Sequence, residues 1–217
     1  MSEYRPELPE VPQRMRSLPI RRGYPVPWFV AEVDGDYHFP TADGRKFAIA
    51  VRKRLCWVCG QPLGKRRAFV IGPMCAINKT TSEPPTHREC AIFSATACPF
   101  LSRPHMKRQK EMPEGAKPPP GMHIMRNPGA TLVWVCKEYW LRQVPQGDDG
   151  SRAGYLFKLG PPIEVAWYAQ GRLASREEVM ESITSGLPIL RQVAEQHGEQ
   201  KLLDLAYADA LRLVPPA

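Results

Sequence analysis

The stretch CWVCGQPLG, residues 56–64, places two cysteines, Cys56 and Cys59, three positions apart. Two thiolates at this spacing can face one metal ion from a single tight turn. Gly60 follows the pair directly and suits such a turn, because glycine adopts a positive φ without steric cost. The stretch is therefore typical of a zinc knuckle, which needs a second pair of ligands from elsewhere in the chain.

The stretch EPPTHRECA, residues 83–91, supplies that second pair as His87 and Cys90. On a helix, residues three apart lie on one face, so both side chains could point at the same ion. Three thiolates and one imidazole fill a tetrahedral zinc shell and leave no open position for a catalytic water. The sequence thus predicts one structural zinc ion with a closed set of four ligands: Cys56, Cys59, His87 and Cys90.

The chain has six cysteines, and three of them lie outside this ligand set. Cys75 and Cys98 are predicted to be small core residues, although either could replace His87 as a metal ligand. Cys136 alternates within an apolar run and is predicted to lie in the core. Because thiols stay reduced in a cytoplasm, paired cysteines there indicate a metal before a disulfide.

The residues between the two ligand pairs predict the fold that carries the metal. Residues 66–72 favour a strand, and residues 74–78 are predicted to return beside it after Gly72 and Pro73. Residues 83–97 predict a helix with prolines in its first turn, where the amide donors lack partners anyway. Knuckle, β-hairpin and ligand-bearing helix together predict a treble-clef zinc module.

Turn and helix patterns extend the prediction to the rest of the chain. Asp34-Gly35 between apolar runs indicates a hairpin over residues 28–39, because both turn positions tolerate positive φ. Residues 44–55 favour a short helix, since apolar residues recur there at helical spacing. The chain is predicted to be an α+β protein. Its predicted regions are an extended arm at 1–27, a hairpin plus the treble-clef zinc module at 28–100, a basic, proline-rich linker or loop at 101–130, and a strand hairpin with C-terminal helices at 131–217.

Strand-forming residues dominate the start of the second half. Residues 131–144 and 154–160 are predicted to form a hairpin around a polar tip, and residues 163–169 a further strand. These runs are rich in aromatic and β-branched residues, which fit a pleated, partly buried surface. Together they predict antiparallel strands in front of the C-terminal helices.

The C-terminal end is predicted to be helical. Ser175 and Glu178 have the spacing of a capping box, in which each side chain bonds the other residue's free amide. This helix is predicted to stop near Gly186, with Pro188 opening the next one. Gly198 is predicted to interrupt that second helix. A buried stripe is predicted for the last segment, at Leu202, Leu205, Ala206 and Leu213.

Charge is distributed unevenly along the chain. The formal net charge is +8, made of +10 in residues 1–126 and −2 in residues 127–217. A basic half favours an acidic partner, either nucleic acid or an acidic protein face, and a solvated basic surface is the simpler alternative. The candidate nucleic-acid-binding residues flank the knuckle: Arg52, Lys53, Arg54, Lys65, Arg66 and Arg67.

The five tryptophans lie mostly in apolar strands and are predicted to be core residues rather than platforms for base stacking. Trp57 is the one to watch as a stacking residue, because it lies inside the knuckle beside the basic residues.

Two catalytic alternatives share part of the metal pattern. HNH-type nucleases carry a catalytic histidine between the two ligand pairs, but residues 60–86 contain none, and His105 and His123 lie farther along the chain. Zinc deaminases place H-x-E before a P-C-x-x-C, whereas the H-x-E at His87 follows the C-x-x-C here. No catalytic residue is therefore assigned, and a metal-dependent HNH-like nuclease is kept as the alternative to a binding function.

Several motifs resemble a group of phage proteins. They are LCWVCGQPLG (55–64), FVIGPMCAIN (69–78), EPPTHRECA (83–91), CPFLSRP (98–104) and GLPILRQVAEQ (186–196). They are similar to stretches in proteins of no established activity encoded by bacteriophages and by bacterial genomes. The resemblance covers most of residues 20–214 and carries over no functional residue. It implies a small accessory protein of a mobile element, and such proteins often bind host machinery or DNA.

Membrane and secretion patterns are not found in the sequence. No stretch approaches the roughly 20 apolar residues that span a bilayer, and the first residues lack the apolar run of a secretory signal. A protein of the bacterial cytoplasm with no membrane partner is expected. Its predicted function is binding, of nucleic acid or of a host protein, with Zn²⁺ as a structural cofactor.

Overall fold

A computed structural model gives the fold for residues 4–107, 120, 127–146 and 153–216. It contains both helices and antiparallel sheets, so the α+β prediction is confirmed. The helices are α1 Gly44–Lys53, α2 Pro73–Asn78, α3 Arg88–Ala97, α4 Pro99–Ser102, α5 Arg176–His197 and α6 Gln200–Leu211. The strands are β1 Ile20–Arg21, β2 Tyr24–Pro25, β3 Val30–Val33, β4 Asp36–Ala42, β5 Arg67–Ile71, β6 Thr80–Thr81, β7 Thr131–Cys136, β8 Tyr139–Val144, β9 Gly154–Leu159, β10 Pro162–Ala169 and β11 Arg172–Leu173.

A four-stranded antiparallel sheet joins the two halves of the chain. Its strand order is β11-β10-β7-β5, and all six residues of β7 are buried. The continuous apolar run of β7 fits this position, because a strand covered on both faces has no polar side. β5 lies in sequence between the two ligand pairs, so its pairing with β7 ties the metal region to the second half. The boundary between regions 28–100 and 131–217 stays a prediction.

Helices cover both faces of this sheet. Alternate side chains of a strand point to opposite faces, so Val133 and Val135 of β7 pack on Ala91 and Ala95 of α3. The intervening residues of β7 face α2, α5 and α6. This second face encloses the cluster that we call the main core, which includes Phe69, Ile77, Leu132, Trp134, Phe157, Trp167, Val179 and Ile183.

The strand run at 131–144 is divided, which the sequence did not predict. β7 ends at Cys136, and β8 leaves for a second, three-stranded sheet of order β6-β9-β8. Of the two parts of this run, only β8 pairs with the predicted hairpin partner at 154–160, which also pairs with β6. β7 pairs instead with β5 and β10. The polar tip at 147–152 lies outside the described residues. The division occurs at the charged pair Lys137-Glu138, which interrupts the apolar run without a glycine or proline to mark the turn.

The predicted return strand at 74–78 is wrong, because these residues form α2. Gly72 is the N-cap and Pro73 opens the helix, a position where a missing amide hydrogen costs nothing. Ala76 and Ile77 are each 1% exposed, in the main core, and their burial explains the helix. The hairpin that a treble clef requires is thus not formed by this segment, and the treble clef stays a prediction.

Helix α5 runs through the predicted stop at Gly186 and through Pro188. Its buried residues Val179, Ile183 and Leu187 recur every four positions, so packing against the main core outweighs the local preference for a break. The close approach of α2 explains Gly186, because a Cβ there would lie 2.9 Å from the side chain of Met74. The predicted capping box at the helix start is confirmed, and so is the end at Gly198.

The predicted buried stripe in the last segment is confirmed for Ala206 and Leu213, which are half-buried against the main core, and wrong for Leu202 and Leu205. Leu202 and Leu205 of α6 are 64% and 68% exposed, whereas Leu203 and Ala210 are buried in the main core. Val214 continues this buried row. Both sets of positions fit a helical period, so spacing alone could not decide which face meets the core.

The N-terminal segment folds back onto the body. Strands β1 and β2 form a small hairpin, and β3 and β4 form the predicted hairpin around Asp34-Gly35. α1 follows within the predicted range 44–55. Of the predicted linker at 101–130, residues 108–119 and 121–126 lie outside the described residues. Every helix in the described part of the chain is too short or too polar to cross a lipid bilayer.

Candidate metal centre

The first ligand pair lies on a loop closed by backbone pairing. α1 ends at Lys53, and its C-cap Arg54 has a left-handed φ of 53° that redirects the chain. An isolated bridge then joins Leu55 to Pro62, and the amide of Cys56 donates to the carbonyl of Gln61 at 2.7 Å. The loop therefore keeps its geometry through main-chain bonds at its base.

Gly60 completes this knuckle. Its amide donates to the carbonyl of Cys56 at 2.9 Å, and the amide of Cys59 donates to the Cys56 sulfur at 3.4 Å. Gly60 has a φ of +73°, and a Cβ there would lie 2.7 Å from Trp28 Cγ. Backbone conformation and packing both require glycine at this position, as the sequence suggested.

The second ligand pair lies at the start of α3. His87 is the N-cap, with extended backbone, and Cys90 lies in the first turn. The helix predicted over 83–97 therefore begins at Arg88, and the expected prolines precede it instead of occupying its first turn. A residue before proline avoids the helical conformation, which keeps this segment extended.

The extended segment before α3 is held by the knuckle and by β5. Thr86 exchanges two backbone hydrogen bonds of 2.8 Å with Ala68 of β5. The amide of Trp57 donates to the carbonyl of Pro85 at 3.1 Å. These bonds position His87 beside the first ligand pair.

The structure brings all four predicted ligand residues together. Their sulfur and imidazole nitrogen atoms lie within 4.8 Å of one another, and all four residues are buried. A tetrahedral zinc ion with Zn–S of about 2.3 Å and Zn–N of about 2.0–2.1 Å would set its ligand atoms about 3.5–3.8 Å apart. The 3.4 Å between Cys59 Sγ and His87 Nδ1 agrees with that spacing. The donor atoms and their arrangement fit a metal ion.

The imidazole of His87 is oriented by its second nitrogen. Nε2 lies 3.0 Å from the carbonyl oxygen of Pro62. A carbonyl only accepts, so Nε2 carries a hydrogen and donates it, which leaves Nδ1 as the ring nitrogen that faces the thiols. Metal-binding histidines are commonly fixed in this way by a partner on the other ring nitrogen.

Hydrogen-bond donors converge on the sulfur of Cys56. The amides of Cys59 and His87 each donate to it at 3.4 Å, and the Thr86 hydroxyl lies 2.8 Å away. A thiolate can only accept, so this arrangement favours the deprotonated sulfur that binds metal.

The electrostatics of the site agree with a negatively charged centre. Burial raises the pKa of the Cys56 thiol, but hydrogen bonds from Cys59, Cys90 and His87 outweigh burial and lower it. Hydrogen bonds to Cys56 and Cys59 raise the pKa of Cys90. Hydrogen bonding to Cys56 and Cys59 also raises the pKa of His87 to about 10, so a metal ion that binds there would have to displace the proton on Nδ1. The lowered pKa of Cys56 favours a thiolate at that residue, and a divalent metal ion would neutralise its charge.

The N-terminal segment covers the metal centre, which the sequence did not predict. Met15 is 2% exposed and packs with the ligand cysteines in a group that we call the metal cluster. Arg14 forms an ion pair with Glu89 at 2.7 Å and a hydrogen bond with Gln61 at 3.2 Å. The buried residues of the metal cluster are Met15, Cys56, Val58, Cys59, Cys90, Phe93 and Ala97.

The other described cysteines and histidines named in the sequence are not part of the group of four ligand residues. Cys75 is half-buried in α2, Cys98 caps the end of α3, and Cys136 is fully buried in β7 as predicted. In the described part of the chain, the four ligand residues are the one group of three or more metal-binding side chains. His105 is exposed, and His123 lies outside the described residues.

The six candidate nucleic-acid-binding residues lie around the base of the knuckle. The amide of Leu63 donates to the carbonyl of Arg54 at 2.9 Å, which brings the two basic stretches next to each other. We call this group the basic cluster: Arg52, Lys53, Arg54, Lys65, Arg66 and Arg67. All are exposed except Arg67, which is half-buried. Not one of the six forms an ion pair with an acidic residue of the described ranges.

Tryptophan exposure differs from the expectation. Trp57 is 4% exposed, stacks on Phe29 at 4.9 Å and donates to Glu83, so it is a core residue. Trp134 and Trp167 are buried as predicted, whereas Trp140 of β8 is 54% exposed. The signal that could have identified Trp140 is its place two residues after the charged pair that divides the strand run.

Comparison of the chain with protein-family models, with curated proteins and with solved structures found no match in any of the three. The function is therefore inferred from the metal centre and the surface around it.

Proposed function

We propose that the four-residue site binds one zinc ion and that this ion is structural. Thiolate and imidazole ligands favour zinc over the harder cations magnesium and calcium. Three sulfurs and one nitrogen fill a tetrahedral shell. A zinc ion held in this way would cross-link the knuckle, the start of α3 and, through the packing of Met15, the N-terminal segment.

We further propose that the protein binds nucleic acid through the basic cluster. The observation that carries this proposal is the lack of ion pairs within the described residues, since six neighbouring cations repel one another unless an anion neutralises them. Glu164, which lies within electrostatic reach of Arg66, is already paired with Arg88 at 2.5 Å. A phosphate backbone would supply the missing negative charge.

The context proposed for this function is that of an accessory protein of a phage or another mobile element in a bacterial cytoplasm. It is supported by the motif resemblance alone. An acidic face of a host protein is the other partner that the basic cluster would fit. The HNH-like nuclease remains the catalytic alternative, and it needs a second metal site that no group of described residues provides.

The test is a fluorescence anisotropy titration with labelled duplex DNA at low and moderate salt. Each neutralised phosphate contributes a log–log salt slope of about −0.9, so four to six contacts weaken binding on the order of a hundredfold or more between about 50 and 200 mM salt. Lys65→Glu/Arg66→Glu should weaken binding and flatten that slope by about two contacts.

A matched control is Arg191→Glu/Lys201→Glu, which makes the same charge change at exposed positions of α5 and α6. It should leave binding nearly unchanged. Equal losses in the two double variants would mean that only net charge matters. Absence of binding at low salt would contradict the proposal and favour the host protein. Cleavage of the DNA on adding magnesium or manganese would favour the nuclease.

A further inference from the structure

Trp140 is the most exposed tryptophan among the described residues. It lies on β8, an edge strand of the three-stranded sheet. Its neighbour Tyr139 packs edge-on against Phe69 at 5.6 Å, toward the main core. Because successive side chains of a strand alternate, Trp140 points to the outer face. A single exposed apolar residue is ordinary, so the residues around it decide whether it has a role.

Cations flank Trp140 on this outer face. In the register of the sheet, Trp140 is directly opposite Lys158 of β9, and Lys158 is in turn opposite Thr80 of β6. Arg142 lies two residues along β8 on the same face, opposite Leu156. Directly opposite side chains have Cβ atoms about 5 Å apart. The outer face thus presents an indole ring with Arg142 along its own strand and Lys158 across from it. The Lys158 ammonium donates one hydrogen bond to the carbonyl of Asn78 at 3.3 Å and has further donors for a phosphate.

The basic cluster reaches the start of β8. Arg67 donates to the carbonyl of Lys137 at 2.5 Å, and Lys137 lies three residues before Trp140, a reach of at most roughly 10 Å. Burial raises the pKa of Tyr139, and the charges of Arg67 and Arg54 oppose that shift. Both guanidinium groups therefore lie within electrostatic reach of the residue next to Trp140. Between Lys137 and Arg142, Glu138 is the single acidic residue.

We propose that the outer face of β8 and β9 binds single-stranded nucleic acid, with a base stacked on Trp140 and phosphates held by Arg142 and Lys158. A duplex hides its base faces within the helix, whereas a single strand can present them to an aromatic ring. Stacking is tolerant of base identity, which fits a face with few hydrogen-bonding groups for base edges. This inference rests on the proposed function, in which the anionic partner is a nucleic acid. It adds that the nucleic acid bound at this face is single-stranded.

The test compares a labelled oligothymidine of about 16 nucleotides, the upper end of single-strand site sizes in small domains, with a duplex of equal length. Trp140→Ala should weaken binding of the single strand roughly 5- to 150-fold, because a stacked base is lost. The same variant should leave duplex binding within a factor of about two, because the protein contacts only the phosphates of a duplex. Trp140→Phe should retain part of the affinity, because the smaller ring still stacks. Circular dichroism checks that each variant is folded.

The matched control is Tyr155→Ala. Tyr155 is 37% exposed on the same hairpin, and its partner Gln143 belongs to the alternate set that points away from the Trp140 face. The variant should bind the single strand like the parent protein. Unchanged single-strand binding in Trp140→Ala, or an equal loss for duplex, overturns the inference. A change from dimer to monomer in Trp140→Ala, seen by sedimentation, also overturns it and identifies a self-association surface.

The two proposals fail in different ways. If neither nucleic acid binds at low salt, the proposed function itself is contradicted. If duplex binds and Lys65→Glu/Arg66→Glu weakens it while Trp140→Ala has no effect on the single strand, only the stacking inference is contradicted.

Discussion

The main core and the metal cluster are held together by different means. The main core buries large apolar side chains, among them Phe69, Trp134 and Phe157, between a sheet and three helices. The metal cluster has seven buried residues, of which three are cysteines of the ligand set. Apolar burial contributes about 25 cal/mol per Å², so large aromatic side chains stabilise the first region without help. The second region has little apolar surface to bury, and we infer that a bound ion supplies most of its stability.

The main core and the metal cluster also differ in how far apart their residues lie along the sequence. The main core collects residues from β5 to the last helix, whereas the ligand candidates come from two short stretches joined by the hydrogen bond from the amide of Trp57 to the carbonyl of Pro85. Loss of the metal should therefore release the knuckle and the N-terminal segment first. Loss of a core side chain should instead weaken the whole fold and leave the metal in place.

The largest expected effect is that of Cys59→Ser. Metal binding in zinc-finger peptides is worth about 10–16 kcal/mol and is coupled to folding, so the variant should lose its zinc. Hydrogen-exchange mass spectrometry should show lost protection in residues 4–64 and retained protection in β7 and α5. The control Cys75→Ser alters a half-buried thiol of α2 and should keep one zinc ion.

Two outcomes of this experiment would contradict the distinction between the main core and the metal cluster. Unchanged zinc content in Cys59→Ser would mean that this sulfur is not a ligand. Lost protection that is uniform along the chain would mean that the two regions unfold as one unit.

The next largest effect is that of Trp134→Ala in the main core. Trp134 is fully buried and its Nε1 donates to the carbonyl of Gly160 at 3.0 Å. Phe or Trp to Ala changes in cores cost about 3–5 kcal/mol, which urea unfolding monitored by circular dichroism would measure. The folded fraction should still contain one zinc ion per chain. A variant that loses zinc while it remains folded would contradict the separation of the two regions.

A smaller effect is expected at the start of α5. The Ser175 hydroxyl accepts from the amide of Glu178, and the Glu178 carboxylate accepts from the amide of Ser175. Ser175→Ala should lower the free energy of unfolding by about 1 kcal/mol, the usual cost of a lost N-cap, without changing zinc content. Ser175→Asp keeps a capping acceptor and should restore most of the loss. An equal loss in both variants would show that the cap does not stabilise this helix.

The grouping of Cys56, Cys59, His87 and Cys90 could be predicted because the pattern is local in sequence. The spacings of Cys56 with Cys59 and of His87 with Cys90 are typical of metal-binding turns whatever the rest of the fold. The capping box at Ser175 and the Asp34-Gly35 hairpin were predictable for the same reason, since a few adjacent residues determine them.

The errors arose where packing between distant residues decides the conformation. Residues 74–78 form a helix because Ala76 and Ile77 reach the main core, and α5 continues through Pro188 because its apolar row meets α2 and the sheet. The exposure of Leu202 and Leu205 depends on which of two equally spaced faces meets that core. The cover provided by Met15 depends on a contact across more than forty residues, for which the sequence gives no local sign.

The central claim is that one metal ion holds the knuckle, the start of α3 and the N-terminal segment together. Its most direct test is the zinc content of the purified protein by elemental analysis, followed by hydrogen exchange before and after removal of the metal with a chelator. The account predicts one zinc ion per chain, lost protection in residues 4–64 on chelation, and recovery on adding zinc back. Well under one equivalent of zinc, with no gain on adding zinc and with full protection of these residues, would contradict it.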